Sequence, residues 1–219
     1  MKLRIVKRLL EANERIAEEN RRLLRENGVF TINLMSAPGA GKTSLLVRTI
    51  EALMDKVSIG VIEGDITGTD DAERIDALGV PVVQLNTEGA CHLDAGMIRE
   101  ALEDIPLGGI ELLFIENVGN LVCPAEFNVG EDVKAMVLSV TEGDDKPLKY
   151  PLMFKESGVL VINKTDLLPH TDVDMDKIRR SALSINPGLR IFEVSCRTGT
   201  GLTEWTDYLG ALSVGTGMY

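Results

Sequence analysis

The stretch "NLMSAPGAGKTSLL" (residues 33–46) decides the fold. Apolar residues lead into a glycine-rich turn, and a Lys-Thr-Ser sequence then opens a helical segment. A buried strand, a glycine-rich turn and a helix in this order predict a phosphate-binding loop. Ser36 stands where the usual G-x-x-x-x-G-K-[ST] pattern has its first glycine. Because Pro38-Gly39 can supply the tight turn instead, we expect the loop to keep its mechanism.

The glycines of this loop allow backbone N–H groups to turn inward around a β-phosphate. The lysine can reach the β- and γ-phosphates, and the threonine hydroxyl is a ligand for Mg²⁺. The alternative is a glycine-rich turn that contains Lys-Thr by accident, although the strand and the helix around it argue against this. The predicted nucleotide contacts of the loop are Gly39, Ala40, Gly41, Lys42, Thr43 and Ser44.

From Val29 onward, short β-branched runs alternate with helical stretches. This alternation predicts a mostly parallel sheet covered by helices on both faces, which is the three-layer α/β architecture of P-loop NTPases. One predicted helix directly follows the glycine-rich loop, and four more occupy 69–78, 92–104, 172–185 and 201–212. The segment 141–157 has no periodicity and is expected to be a loop. The predicted strands are 29–35, 57–63, 80–85, 110–117, 132–141, 158–163 and 189–195.

A strongly charged helix is predicted before this sheet. Apolar residues recur in steps of three and four, with one polar gap, over residues 3–27, and Gly28 is suited to a helix end. We therefore divide the chain into an N-terminal helix (1–28) and a single further domain (29–219). Two interpretations of the helix stay open: it packs on its own domain, or it is a docking arm for a partner or a second subunit.

Composition limits the class of protein. A hydrophobic content of 44% with 26% charged residues indicates a soluble globular protein. The net charge of −11 argues against nucleic-acid and membrane partners, because both would need a basic face. No apolar run approaches the roughly 20 residues of a membrane span. Acidic residues at positions 11, 14, 18 and 19 argue against a signal peptide. We expect a cytoplasmic protein, in which three cysteines are too few for a disulfide framework.

The stretch "VLVINKTDLL" (159–168) predicts which nucleotide base is bound. Its Asn163, Lys164 and Asp166 match the N-K-x-D motif of GTPases. The Asp166 carboxylate can accept hydrogen bonds from the guanine N1–H and 2-amino groups, and adenine offers neither in that arrangement. Asn163 would brace the loop, and the stem of Lys164 would cover the base. The sequence therefore favours GTP and GDP over ATP, and residues 29–219 are predicted to be a GTPase domain.

A second loop is expected to contact the guanine. "EVSCRTG" (193–199) follows the last predicted strand and is similar to the S-A-K loop that presents backbone N–H groups to guanine O6. Alone this similarity is weak, but it falls in the order that the other motifs require. Its predicted contacts are Ser195, Cys196 and Arg197.

Two acidic loops follow strands expected to flank the phosphate loop. Asp65 and Asp70 lie in "EGDITGTDD", and Glu116 and Gly119 form an E-x-x-G in place of the usual D-x-x-G. Gly119 could donate its N–H to a γ-phosphate, and the carboxylates could bind Mg²⁺ or orient the attacking water; solvated loop acids are the alternative. No glutamine or arginine stands out as an accelerator, so we expect slow hydrolysis. The predicted catalytic residues are Lys42, Asp65 and Glu116, and the predicted Mg²⁺ ligands are Thr43, Asp65, Asp70 and Glu116.

A thiol and imidazole cluster is the last candidate. Cys91 and His92 lie at the start of a predicted helix, where a thiol pKa is lowered, and Cys123 follows Gly119 by four residues. Two thiolates and an imidazole suit Zn²⁺ or Ni²⁺ far better than Mg²⁺ or Ca²⁺. The spacing matches no standard finger, so two buried cysteines and a capping histidine are the alternative.

Together the motifs resemble a known family. "SAPGAGKTS", "EGDITGTDDAERI", "TEGACHLDAG", "IENVGNLVCPAEFNVGE" and "NKTDLLP" look like the HypB type of nickel-incorporation GTPase in [NiFe]-hydrogenase maturation, a SIMIBI-class P-loop GTPase. In this family a serine at the first loop position is ordinary. The resemblance implies a homodimer when GTP is bound and Zn²⁺ or Ni²⁺ at the subunit interface. The implied metal ligands are Cys91, His92 and Cys123.

The resemblance also implies partners. Some members carry an N-terminal C-x-x-C-G-C site or a histidine-rich stretch, and residues 1–28 contain neither Cys nor His. We therefore expect the first helix to dock the companion nickel metallochaperone of the HypA type, with the hydrogenase large subunit as an indirect partner. The alternatives are the urease-type nickel GTPase, whose metal motif is Cys-Pro-His, a metal chaperone with a relic nucleotide site, and an ATP-dependent kinase.

Overall fold

One all-parallel sheet of seven strands organises the computed structural model, which describes residues 2–66 and 68–215. The strands overlap the seven predicted runs, and the predicted fold class is confirmed. They are β1 (Phe30–Ser36), β2 (Ile59–Asp65), β3 (Val82–Asn86), β4 (Leu112–Glu116), β5 (Val133–Ser139), β6 (Val159–Asn163) and β7 (Arg190–Glu193). Their spatial order is β3-β2-β4-β1-β5-β6-β7.

Helices cover both faces of the sheet. The segment 141–157, predicted to be a loop, contains two short helices, each with a proline in its first turn. No helix in the described ranges combines the length and apolar composition that crossing a bilayer requires. The helices are α1 (Lys2–Glu26), α2 (Lys42–Leu53), α3 (Asp70–Asp76), α4 (Ala95–Asp104), α5 (Cys123–Glu126), α6 (Lys146–Lys149), α7 (Pro151–Glu156), α8 (Met175–Ile185) and α9 (Leu202–Gly215).

Burial on both faces explains the apolar strands. Every residue of β4 ("LLFIE") is buried, as expected for a central strand of a parallel sheet. Phe114 packs in the core beneath α2 and α9, whereas Leu113 and Ile115 pack in the core beneath α1 and α4. The Trp205 indole N–H donates to the Thr49 hydroxyl at 2.8 Å and joins α9 to α2.

The strand register brings the predicted site residues to one edge. β1 lies between β4 and β5, so the chain leaves β1 in one direction and later returns on its other side. This reversal opens a crevice beyond the carboxyl ends of the strands, where ligands bind in such sheets. Glu63 is opposite Glu116 on β2 and β4, and Ser139 is opposite Asn163 on β5 and β6.

The N-terminal helix packs on its own domain, which was one of its two interpretations. Ala17 and Leu24 are buried, and two asparagines of α1 join the core. The Asn20 side chain donates to the carbonyls of Ala95 (2.8 Å) and Val129 (3.1 Å). The division at 28/29 and the docking role of the helix stay predictions, and the outermost residues of both domains, Met1 and 216–219, lie outside the described residues.

Asn20→Ala is expected to lower the free energy of unfolding by about 2 kcal/mol, because two buried carbonyls lose their donor. Chemical denaturation of the full chain measures this loss. The matched control is Asn128→Ala, which removes an exposed hydrogen bond to Glu14 and is expected to change stability by less than about 0.5 kcal/mol. Equal losses in both variants would show that the buried amide does not anchor α1.

Candidate nucleotide and metal site

The phosphate loop joins β1 to α2 in the predicted geometry. Gly41 has φ 98°, and a Cβ there would lie 2.5 Å from Asn163 Nδ2, so no side chain fits. Lys42 is buried, and its Nζ donates to Ser36 Oγ at 3.0 Å. Ser36 in turn donates to the Ala37 carbonyl at 2.6 Å. The unusual first residue of the loop therefore holds the lysine at the edge of the phosphate site.

A cavity of about 400 Å³ opens beside this loop and contains most of the residues predicted to bind the base. Asp166 Oδ1 accepts a hydrogen bond from the Ser195 hydroxyl at 2.6 Å, which fixes the carboxylate in the cavity. Lys164 has φ 62° and donates from Nζ to the Gly39 carbonyl at 2.6 Å. The lining residues are Gly41, Ser44, Val47, Arg48, Arg74, Asn163, Lys164, Asp166, Leu167, Cys196 and Arg197.

Asn163 braces three segments of the site. Its Nδ2 donates to the Ala40 carbonyl at 3.1 Å, and its Oδ1 accepts from the backbone N–H groups of Lys164 (2.7 Å) and Cys196 (3.3 Å). Burial raises the pKa of the Cys196 thiol to about 11, so this cysteine is a neutral packing residue at neutral pH. The asparagine thus connects the phosphate loop to both loops of the cavity.

Two carboxylates contact the Thr43 hydroxyl, and only one of them was among the predicted Mg²⁺ ligands. Thr43 Oγ1 lies 2.7 Å from Glu116 Oε1 and 2.8 Å from Asp71 Oδ2. The predicted Mg²⁺ ligand Asp70 is the exposed first residue of α3, and its neighbour Asp71 reaches Thr43 instead. Successive side chains on a helix point about 100° apart, so only one of the two can face the threonine. Asp65 accepts from the N–H groups of its own loop, at Ile66 and Gly68.

Glu63 is a buried carboxylate that the sequence analysis did not select. Its only signal was an acid within the apolar run of β2, two residues before Asp65. Burial, followed by the charges of Glu116, Asp65 and Asp71, raises the pKa of Glu63 to about 8, against the lowering effect of the Lys42 ammonium. The excess of carboxylates over ammonium groups favours a bound cation here.

The chemistry of this cluster fits Mg²⁺. Burial also raises the pKa of Glu116, although Lys42 and Thr43 oppose the shift. Glu63 and Glu116 each keep one buried carboxylate oxygen without a hydrogen-bond partner among the described residues. Oxygen atoms are the ligands that Mg²⁺ prefers, and a cation beside the lysine would balance these carboxylates. A second residue that the sequence analysis did not single out, Arg74, lies beside the cluster and pairs with Asp71 at 3.0 Å.

Gly119 lies against the phosphate loop, as its predicted role requires. A Cβ at Gly119 would lie 3.0 Å from Pro38 Cα and 3.1 Å from Pro38 N, so only glycine allows this approach without displacement. The backbone after β4 therefore faces the side of the loop where a γ-phosphate is expected.

The structure brings the predicted metal ligands together. Cys91, His92 and Cys123 each offer a ligand atom, and these atoms lie within 4.8 Å of one another. The two sulfur atoms are 3.2 Å apart, and Cys91 Sγ is 3.7 Å from His92 Nδ1. The His92 ring packs on Phe127 with centroids 4.1 Å apart. Three ligands from one chain leave a coordination position open on a tetrahedral metal.

The expected position of Cys91 and His92 at the start of a helix is wrong. α4 begins at Ala95 and not at residue 92, because Asp94 caps the helix by accepting from the Met97 N–H at 2.9 Å. Cys91 therefore precedes the helix and is not in its first turn. At Cys123, burial and then the neighbouring Cys91 raise the thiol pKa, so metal binding must displace a proton there.

A phosphate loop at the central strand of a parallel sheet, with a base cavity beside it, defines a P-loop nucleotide-binding protein. The profile of the CobW/HypB/UreG nucleotide-binding domain matches residues 30–193. The hydrogenase maturation factor HypB of Rhizobium leguminosarum bv. viciae is 50% identical over 94% of this chain and 69% of its own length. The chain belongs to the HypB family of hydrogenase maturation factors.

Two solved structures agree with this assignment. The hydrogenase maturation factor HypB from Archaeoglobus fulgidus is 41% identical with a TM-score of 0.87, covering 93% of this chain and 99% of the other. HypB from Helicobacter pylori in complex with nickel is 33% identical with a TM-score of 0.88, covering 93% and 96%. Each match includes almost the whole of the solved chain, so the similarity includes the fold of the complete nucleotide-binding unit.

The raised pKa of Glu63 predicts a pH dependence of stability. Between the ordinary carboxyl pKa of 4.5 and about 8, the folded protein keeps a proton that the unfolded chain has lost. The free energy of unfolding therefore falls as pH rises through this window, by at most about 1.4 kcal/mol per pH unit. Denaturation of the nucleotide-free chain in a chelating buffer measures this slope, and Glu63→Gln is expected to reduce it. An unchanged slope in the variant would assign the proton to another group.

Proposed function

We propose that this chain is a GTP-hydrolysing metallochaperone that carries nickel for the maturation of [NiFe]-hydrogenase. One observation carries the proposal: the short segment from the end of β4 to the start of α5 reaches both sites. Gly119 of this segment lies against the phosphate loop, and Cys123, four residues later, lies in the Cys-His cluster. A change at the γ-phosphate therefore has a short covalent route to a metal ligand.

Guanine specificity is supported by the fixed Asp166 carboxylate. One of its oxygens accepts from Ser195, and the carboxylate keeps further lone pairs for the guanine N1–H and 2-amino groups. The amide of Asn163 and the backbone around Cys196 line the same cavity, which suits contacts to the other edge of the base. Arg197 and Lys164 complete the walls of the cavity.

The hydrolytic role belongs to the residues around Thr43. We assign Thr43 and Glu116, together with Asp71 and with Asp65 through water, as the residues that would hold Mg²⁺. The ion would neutralise the charge developing on the phosphates. Lys42 would move from Ser36 to the β- and γ-phosphates, and Glu116 would orient the attacking water. A partner or dimerisation is expected to accelerate this slow reaction.

The metal cluster suits Ni²⁺ or Zn²⁺, and the relative from Helicobacter pylori was solved in complex with nickel. Each chain offers two thiols and one imidazole in a partly exposed position. A two-fold axis near the cluster would duplicate the three ligands and complete the coordination sphere. We therefore propose that GTP-bound chains form a homodimer that holds the metal between them.

Partners follow from this assignment. The apolar side of α1 is buried on α4, so its charged outer side, which includes Glu14, Arg15 and Glu18, is available to another protein. We propose that this side docks the companion nickel metallochaperone of the HypA type, in the cytoplasm. The hydrogenase large subunit would then receive nickel from the assembled complex.

Asp166→Asn is expected to weaken GTP binding at least about 100-fold, because the new amide presents a donor where guanine also presents donors. Xanthosine triphosphate, whose 2-oxo group accepts that hydrogen bond, is expected to bind the variant better than GTP does. Competition binding measures both effects. Asp172→Asn, which neutralises an exposed acid outside the cavity, is the charge-matched control. Preference of the unaltered chain for ATP over GTP would overturn the proposal.

Cys123→Ser is expected to weaken Ni²⁺ binding at least about tenfold, because a hydroxyl is a much poorer soft ligand than a thiolate. It should also weaken the dependence of Ni²⁺ affinity on the bound nucleotide. Metal titration with GDP and with a non-hydrolysable GTP analogue measures both quantities. Cys196→Ser, which changes a thiol remote from the cluster, is expected to keep Ni²⁺ affinity. Unchanged affinity of Cys123→Ser in both nucleotide states would contradict the assignment.

A further inference from the structure

Two asparagines flank the glycine that lies against the phosphate loop. Asn117 directly follows β4, and Asn120 comes one residue after Gly119. Asn117 Oδ1 accepts from the Leu93 N–H at 3.0 Å, and Asn120 Nδ2 donates to the Cys91 carbonyl at 3.2 Å. The two side chains, which we term the asparagine clamp, thus hold the backbone on both sides of His92.

The orientation of the Asn117 amide is determined by a buried carboxylate. Glu131 Oε1 accepts from Asn33 Nδ2 at 3.2 Å, and a carboxylate can only accept. Asn33 Oδ1 is then left to accept from Asn117 Nδ2 at 3.1 Å. Asn117 Oδ1 consequently faces the N–H groups of Leu93 and Val118, both at 3.0 Å. The Glu131 carboxylate at one end and the two backbone N–H groups at the other therefore fix the same orientation of both amides.

Burial makes these contacts specific. Asn117 is 1% exposed, so water cannot replace the hydrogen bond to Leu93. The loss of its acceptor would leave a buried backbone N–H without a partner. Asn120 is only partly buried, and its Oδ1 accepts from the Val122 N–H at 2.8 Å. The Asn120 amide therefore spans from the residue before Cys123 to the backbone of Cys91.

Only one of the three metal ligands lies within a few residues of the loop after β4 along the backbone. Cys123 is the first residue of α5, directly after that loop, and is joined to it through the backbone. Cys91 and His92 lie in a different segment, between β3 and α4, and have no such connection. A displacement of Gly119 on binding a γ-phosphate would reach them only through non-covalent contacts, and the clamp supplies these on both sides of His92.

We propose that Asn117 and Asn120 are positioning residues that make the Cys91–His92 segment follow the loop that contacts the γ-phosphate. The proposal rests on the proposed function, because it presumes a GTP site and a metal at the cluster. All three metal ligands would then shift as one unit between the GDP and GTP states. Nucleotide binding and metal binding become energetically coupled, and each changes the affinity for the other by the same factor.

The coupling ratio tests the clamp directly. The Kd of Ni²⁺ is measured for the full chain with Mg²⁺ and GDP, and again with Mg²⁺ and a non-hydrolysable GTP analogue, and the ratio of the two values is taken. Asn120→Ala and Asn117→Ala are expected to reduce this ratio by about fivefold each, which is the effect of losing one hydrogen bond. Asn128→Ala, an amide that contacts Glu14 at the surface, is the matched control and should keep the ratio.

A second variant separates the clamp from general stability. Asn117 is buried, and its replacement can impair folding. Asn120→Asp keeps the acceptor for Val122 but replaces the donor to Cys91 with a repelling oxygen. It is therefore expected to reduce the ratio as Asn120→Ala does, while the chain remains folded by circular dichroism. GTP-analogue affinity measured without Ni²⁺ should stay unchanged in both Asn120 variants.

The possible outcomes distinguish two failures. A chain that hydrolyses GTP and binds Ni²⁺ with a ratio near one would overturn the clamp and leave the proposed function standing. The same holds for a large ratio that both Asn120 variants retain. If the unaltered chain neither hydrolyses GTP nor binds Ni²⁺, the proposed function itself fails, and the clamp fails with it.

Discussion

Parallel alignment of the strands is the constraint on which the rest of the structure depends. In a parallel sheet every strand ends at the same edge, so the loops that leave β1, β2, β4, β6 and β7 meet in one place. The central position of β1 puts the phosphate loop in the middle of that edge. β4 is its direct neighbour, and Leu34 pairs with Glu116 in the register. The loop after β4 is therefore held between the phosphate site on one side and the Cys-His cluster on the other.

Buried polar groups give this edge its chemistry. Lys42, Glu63 and Glu116 lie in a largely apolar interior, and burial shifts the pKa of each toward its neutral form. Such a cluster is unfavourable unless a ligand completes it, because the isolated charges lack solvation. Phosphates beside the lysine and a divalent cation beside the carboxylates would supply the missing charges. Binding of these ligands at the carboxyl edge of the sheet would therefore stabilise the buried charged groups.

The sequence was sufficient to predict elements whose signal is local. Seven apolar runs gave seven strands, and the glycine-rich loop and the N-K-x-D motif lie where their order implied. Prediction was weaker where one residue or one turn decides the geometry. The choice between Asp70 and Asp71 depends on the rotation of α3, and the start of α4 depends on the cap made by Asp94. Glu63, Asn117 and Asn120 act through contacts with distant segments, which no spacing along the chain reveals.

Under the proposed function, the nucleotide controls a metal site shared by two copies of the chain. Size-exclusion chromatography with metal analysis of the eluted peak, run in parallel with GDP and with a non-hydrolysable GTP analogue, tests this claim most directly. With the GTP analogue we expect dimers that contain about one or two Ni²⁺ ions per pair of chains, and with GDP we expect fewer dimers and less metal. The same mass and the same metal content in both nucleotide states would contradict it.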